Sequence, residues 1–84
     1  MEATAITAVS QFINEGRVQH GDLEAIEVQP ELWEQAMEEV TEAGGEIGFE
    51  HCVVDGIQVR QLAGGKAQAA FILAGSGRRE TLDP

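Results

Sequence analysis

The 84-residue chain carries 15 acidic against 5 basic side chains, a formal net charge of −10, with 43% hydrophobic residues and one cysteine. A chain this short makes one domain that buries only roughly 60–65% of its unfolded surface, which leaves no room for a buried active site of many residues. A field of this sign repels phosphate backbones and anionic lipid, so it disfavours direct nucleic-acid and membrane binding and favours protein partners with basic surfaces.

No run approaches the ~20 apolar residues of a membrane span, and Met1–Ala8 lacks the basic start and apolar run of a secretory signal, so a cytoplasmic protein is expected. Cys52 alone cannot form an internal disulfide, so nothing in the chain is stapled and an oxidising compartment is not implied. The charge is unevenly spread. Residues 1–59 hold thirteen acidic residues against Arg17, a net of −12, whereas residues 60–84 hold Arg60, Lys66, Arg78 and Arg79 against Glu80 and Asp83, a net of +2.

Ile6, Val9, Phe12 and Ile13 recur at helical spacing and predict a first helix from about Ala3, stopped at Gly16, with a strand over part of it as the alternative because Thr, Ile and Val lose rotamer freedom in a helix. Arg17–Asp22 then reads as a turn around Gly21-Asp22, with a brief extended piece at Val18–His20. Leu23–Val28 alternates and predicts a strand, with Glu24, Ile26 and Val28 on one face and Leu23, Ala25 and Glu27 on the other. It leads into the main helix of the chain, Pro30–Ala43. Pro30 suits the first helical position, and Gly44 suits the left-handed residue past the end. Trp33, Met37 and Val40, with Leu32, Ala36 and Ala43, make its apolar stripe, while Glu31, Glu34, Glu38, Glu39 and Glu42 populate the other face without a Lys or Arg.

Ile47–Val54 is a β-rich run, and Asp55-Gly56 before Ile57-Gln58-Val59 signals a tight hairpin, because a type I′ turn needs positive φ at both central residues. A two-residue turn fixes the register: Val54 faces Ile57, Val53 faces Gln58, Cys52 faces Val59, and His51 faces Arg60. Cys52, Val54, Ile57 and Val59 then share the core face; His51, Val53, Gln58 and Arg60 share a wet one. Gly64-Gly65 marks another turn. Gln68–Ala74 is an uncharged apolar run suited to the middle of a sheet, and Gly75–Pro84 reads as a flexible tail.

The expected fold is α+β in two layers: an antiparallel or mixed sheet of about four strands on the Pro30–Ala43 helix, with an additional N-terminal helix. Residues 1–74 form the domain and 75–84 the tail. Trp33, Met37, Val40, Ile57, Val59, Phe71 and Leu73 are the expected core.

Catalytic and metal motifs are weak. Cys52 follows His51 in a strand, where successive side chains point to opposite faces, so the pair is poorly placed as nucleophile and base; scattered His20, His51 and Cys52 fall short of a zinc set. Gly64-Gly65-Lys66 fails the phosphate-loop pattern, because Arg60 stands where its first Gly belongs and Ala67 follows the Lys. Asp22, Glu24, Glu27 and Glu31 form no calcium loop. No catalytic residue, metal ligand or cofactor is assigned.

What remains is the acidic helix face. Glu34, Glu38 and Glu42 repeat every four residues, a spacing that costs a helix roughly 0.2–0.5 kcal/mol per like-charged pair. Glu24, Glu27, Glu31, Glu34, Glu38, Glu39 and Glu42 are therefore the candidate partner-binding residues. In size and charge alone, the chain is similar to small phage-encoded proteins that bind and block host or defence machinery in the host cytoplasm, some by mimicking the charge of DNA. That likeness implies a non-enzymatic inhibitor or regulator of a basic nucleic-acid-handling protein. The alternatives are a structural or assembly subunit of virion type, homo-oligomeric through a sheet edge and mobile ends, and an enzyme subunit or accessory domain.

Overall fold

A computed structural model of the protein describes residues 4–83, with two helices and six strands: α1 (Thr4–His20), β1 (Leu23–Val28), α2 (Pro30–Glu42), β2 (Ile47–Gly48), β3 (His51–Val54), β4 (Ile57–Gln61), β5 (Ala69–Leu73) and β6 (Arg79–Leu82). The strands form one mixed sheet in the order β2-β3-β4-β1-β5-β6. Central β1 runs parallel to β4 and antiparallel to β5, and the other pairings are antiparallel. Both helices pack on the same face of the sheet and against each other. The architecture is α+β, with two more strands than the hydropathy pattern indicates.

The first helix passes through Gly16 and ends at Gly21, whose φ of +85° and N–H bond to the Arg17 carbonyl (2.9 Å) make the left-handed stop. Val18–His20 is accordingly helical rather than extended, and the expected start at Ala3 lies outside the described residues. Gly16 has a packing role instead. A Cβ built there would lie 2.7 Å from Cδ1 of Phe71 and 3.0 Å from Cδ1 of Leu23. Ala5, Val9 and Ile13, four residues apart, are buried along the stripe that Gly16 continues.

The second helix begins at Pro30 and ends in a Schellman motif. The Gly45 N–H bonds the Val40 carbonyl (2.9 Å), the Gly44 N–H bonds that of Thr41 (3.1 Å), and Gly44 has φ +75°. Its fully enclosed residues are small, Ala36 and Val40; Trp33 and Met37, expected in the core, are half-buried, as is Leu73. Both helices line the core, α1 through Ala5, Val9 and Ile13 and α2 through Ala36 and Val40. Val40, Ile57, Val59 and Phe71 are buried as expected, joined by Ile26, Val28 and Cys52.

The hairpin turns at Asp55 (φ +53°) and Gly56 (φ +76°), and all four cross-strand pairs have the expected register. Ser10 Oγ donates to Asp55 Oδ2 (2.8 Å) and Arg17 Nη2 to the Asp55 carbonyl (3.3 Å), which ties the turn to α1. Ile47–Val54 is not one strand. It folds back at Phe49-Glu50, so Gly48 pairs with His51 and Ile47 with Cys52.

A register shift between Leu23 and Ala25 changes the expected facing in β1. Leu23 joins Ile26 and Val28 under the helices, while Glu24 is exposed at the irregularity. The segment read as a tail is likewise ordered into the sheet: Arg79–Leu82 pairs with β5 as the sixth strand, and half-buried Leu82 packs at the core margin. Leu82 lies opposite Ala69, so one apolar residue in a polar segment suffices to seat the strand.

Candidate functional surfaces

The seven candidate glutamates do not lie on one surface. Glu31, Glu34, Glu38 and Glu42 are exposed on α2. At about 100° per residue they fall within roughly a third of the helix circumference. Among the described residues the ion pairs are Arg78–Glu80 (2.7 Å) and Arg79–Glu27 (3.0 Å), so none involves this arc. Its charge faces solvent uncompensated, and its C-terminal part lies where the helix dipole adds to the repulsion.

Glu39 is half-buried and does structural work. Its carboxylate accepts hydrogen bonds from the N–H groups of Ala5 and Ile6, both at 3.0 Å, and so caps the N-terminus of α1 from the neighbouring helix. No acidic residue lies in the first turn of α1 to do this locally. Glu27 sits on the opposite, helix-free face of the sheet, where it accepts from Arg79 Nε (3.0 Å). Glu24 projects from the β1 irregularity.

The helix-free face presents two rows across the strands: His51, Arg60, Glu27, Ala70 and Thr81 in one, and Val53, Gln58, Ala25, Ile72 and Arg79 in the next. Ala25 and Ala70 are fully buried although no helix covers them, because longer neighbours close over their small side chains. At the β2–β3 end, Glu27, Phe49, Glu50, His51, Arg60 and Gln61 surround a groove of about 510 Å³. The residue pattern gave no hint of it. Its turn puts Glu50 at φ +59°, a left-handed position where a Gly or Asn would have announced the reversal.

Cys52 is fully buried on the helix side of β3, and burial pushes its thiol above the ordinary value of 9.0. His51 points to the other face, with Nδ1 3.2 Å from the Phe49 carbonyl. Since a carbonyl only accepts, Nδ1 carries the proton in that contact. His20 packs against Phe71, with ring centroids 5.7 Å apart. Among the described residues no three His, Cys, Asp or Glu side chains converge on a common point, and no helix is long and apolar enough to cross a membrane. No protein-family model, curated protein or solved structure matches the chain.

Proposed function

We propose that the protein is a non-enzymatic binding module that presents the acidic arc of α2 to a basic protein surface, as an inhibitor or regulator of a nucleic-acid-handling partner. The observation that carries this reading is the arc itself: Glu31, Glu34, Glu38 and Glu42 are exposed side by side with no cation among the described residues paired to them. The column Glu34, Glu38 and Glu42 weakens its own helix by about 0.4–1 kcal/mol over two successive pairs, a cost that a binding role offsets. The Schellman end and the packing of Ala36 and Val40 hold the carboxylates on a fixed frame, so a partner meets a preorganised charge pattern. Such a pattern imitates the regular negative charge of a nucleic-acid backbone and speeds encounter with a basic groove.

A structural or assembly role draws support from one different feature, the outer edge of β6, which ends the sheet and bears unpaired backbone groups. Salt separates the two. Affinity capture with the wild type and a Glu34→Gln/Glu38→Gln/Glu42→Gln variant, at low and high ionic strength, should recover a partner that salt releases and that the variant fails to hold. An assembly unaffected by salt and by the triple substitution would remove the acidic-face reading and favour the edge.

A further inference from the structure

We propose that the groove on the helix-free face is a binding site for a small organic monocarboxylate bearing a ring, with the carboxylate on Arg60 and the ring against Phe49. Arg60 is the starting point. In a chain of net charge −10 it is half-buried and forms no ion pair among the described residues. Its neighbour Glu27 is committed to Arg79. The acceptor that Arg60 does have is neutral: Gln58 Oε1 receives Nε–H (3.1 Å) and Nη2–H (2.6 Å).

That arrangement fixes the guanidinium by one edge and leaves the other. The edge formed by Nη1 and the second Nη2–H offers two parallel donors, the geometry that matches a carboxylate. Arg60 borders the groove and Gln58 does not, so the bond to Gln58 leaves donors of a groove-lining residue free.

The rest of the groove supplies an apolar contact. Phe49 is 88% exposed, the most exposed large hydrophobic residue among those described, on a two-residue turn whose second member, Glu50, holds a left-handed conformation. The turn is braced by His51, whose ring lies over Gly48 so closely that a Cβ at 48 would overlap it. An exposed aromatic on a braced, strained turn, beside an unpaired guanidinium, makes an anchor for a ring and a fork for its acid group.

Charge selects among ligands. Glu27 and Glu50 also border the groove, so a phosphate dianion meets more repulsion than a monocarboxylate. The volume, about 510 Å³, suits one small ring compound.

The test uses phenylacetate as probe, with acetate, phenylacetamide and phenethylamine as controls, in an amide NMR titration of the whole chain. Phenylacetate should produce saturable shifts at Phe49–His51 and Arg60, with Kd on the order of 1 mM. Acetate, the amide and the amine should each bind about tenfold more weakly or not at all. Arg60→Gln should weaken phenylacetate about tenfold. Phe49→Ala, which removes an exposed side chain and so preserves the fold, should abolish the preference for phenylacetate over acetate. Absence of saturable shifts in the wild type, equal binding of the amide or amine, or an unchanged preference in Phe49→Ala would each overturn the proposal.

Discussion

Replacing Gly16 with Ala puts two effects in opposition, and the structure decides the sign. Within α1, Ala is better than Gly by about 1 kcal/mol, so helix propensity alone predicts stabilisation. The new Cβ, however, would lie 2.7 and 2.8 Å from Cδ1 and Cε1 of Phe71 and 3.0 Å from Cδ1 of Leu23. Ordinary carbon contacts are about 3.5–4.0 Å, so two ring atoms and a methyl must each retreat by roughly 0.5–1 Å. Phe71 is fully buried and has nowhere to go. Overpacking of this kind costs ~1–3 kcal/mol, and three simultaneous overlaps place it in the upper half of that range. The net is a loss of about 1–2 kcal/mol, or a Tm lower by about 5–15 °C for a domain of this size. Urea and thermal unfolding of Gly16→Ala measure it directly, and a Phe71→Leu background should recover part of the loss through coupling between the two sites. A Gly16→Ala protein as stable as the wild type, or one whose loss is unchanged by Phe71→Leu, would refute the packing argument.

Glu39→Ala should cost about 1–2 kcal/mol in urea unfolding, because it uncaps α1 at Ala5 and Ile6, whereas Glu38→Gln beside it should be neutral or stabilising by a few tenths. Glu50→Gly should raise stability by about 0.5–1 kcal/mol in the same assay, since Gly accepts φ +59° without the steric cost borne by Glu. For Cys52 the folded pKa lies above the unfolded one, so stability is full below the ordinary thiol value of 9.0 and falls as pH rises past it, where the unfolded thiol ionises and the buried one keeps its proton. Urea midpoints between pH 7 and about 10 should therefore decline more steeply for the wild type than for Cys52→Val, and equal slopes would contradict the burial argument.

Much of the fold was legible because local rules and burial agree there. Pro30 and Gly44 bound α2, Leu23–Val28 is a strand to the residue, and Asp55-Gly56 fixes the β3–β4 register. The errors fall where tertiary contact overrides a local signal. Gly16 looked like a stop because a glycine in a helix is usually a terminator, but here it makes room for Phe71. The Phe49-Glu50 turn was hidden because Glu50 occupies a conformation that its type seldom adopts, and β6 was hidden because its polar residues earn their place by pairing with β5. The candidate face was readable only as charge. Periodicity placed Glu31, Glu34, Glu38 and Glu42 together, but nothing in the pattern indicated that Glu39 caps the neighbouring helix or that Glu27 lies across the sheet.

The most direct test of the acidic-face account is the association rate with a captured, purified partner as a function of ionic strength, for the wild type and the Glu34→Gln/Glu38→Gln/Glu42→Gln variant. Long-range steering acts on encounter, so the variant should associate at least about tenfold more slowly at low salt, with a flatter salt dependence and a dissociation rate changed much less. Equal association rates and equal salt slopes for the two proteins would contradict the account and reduce the α2 carboxylates to a solubilising face.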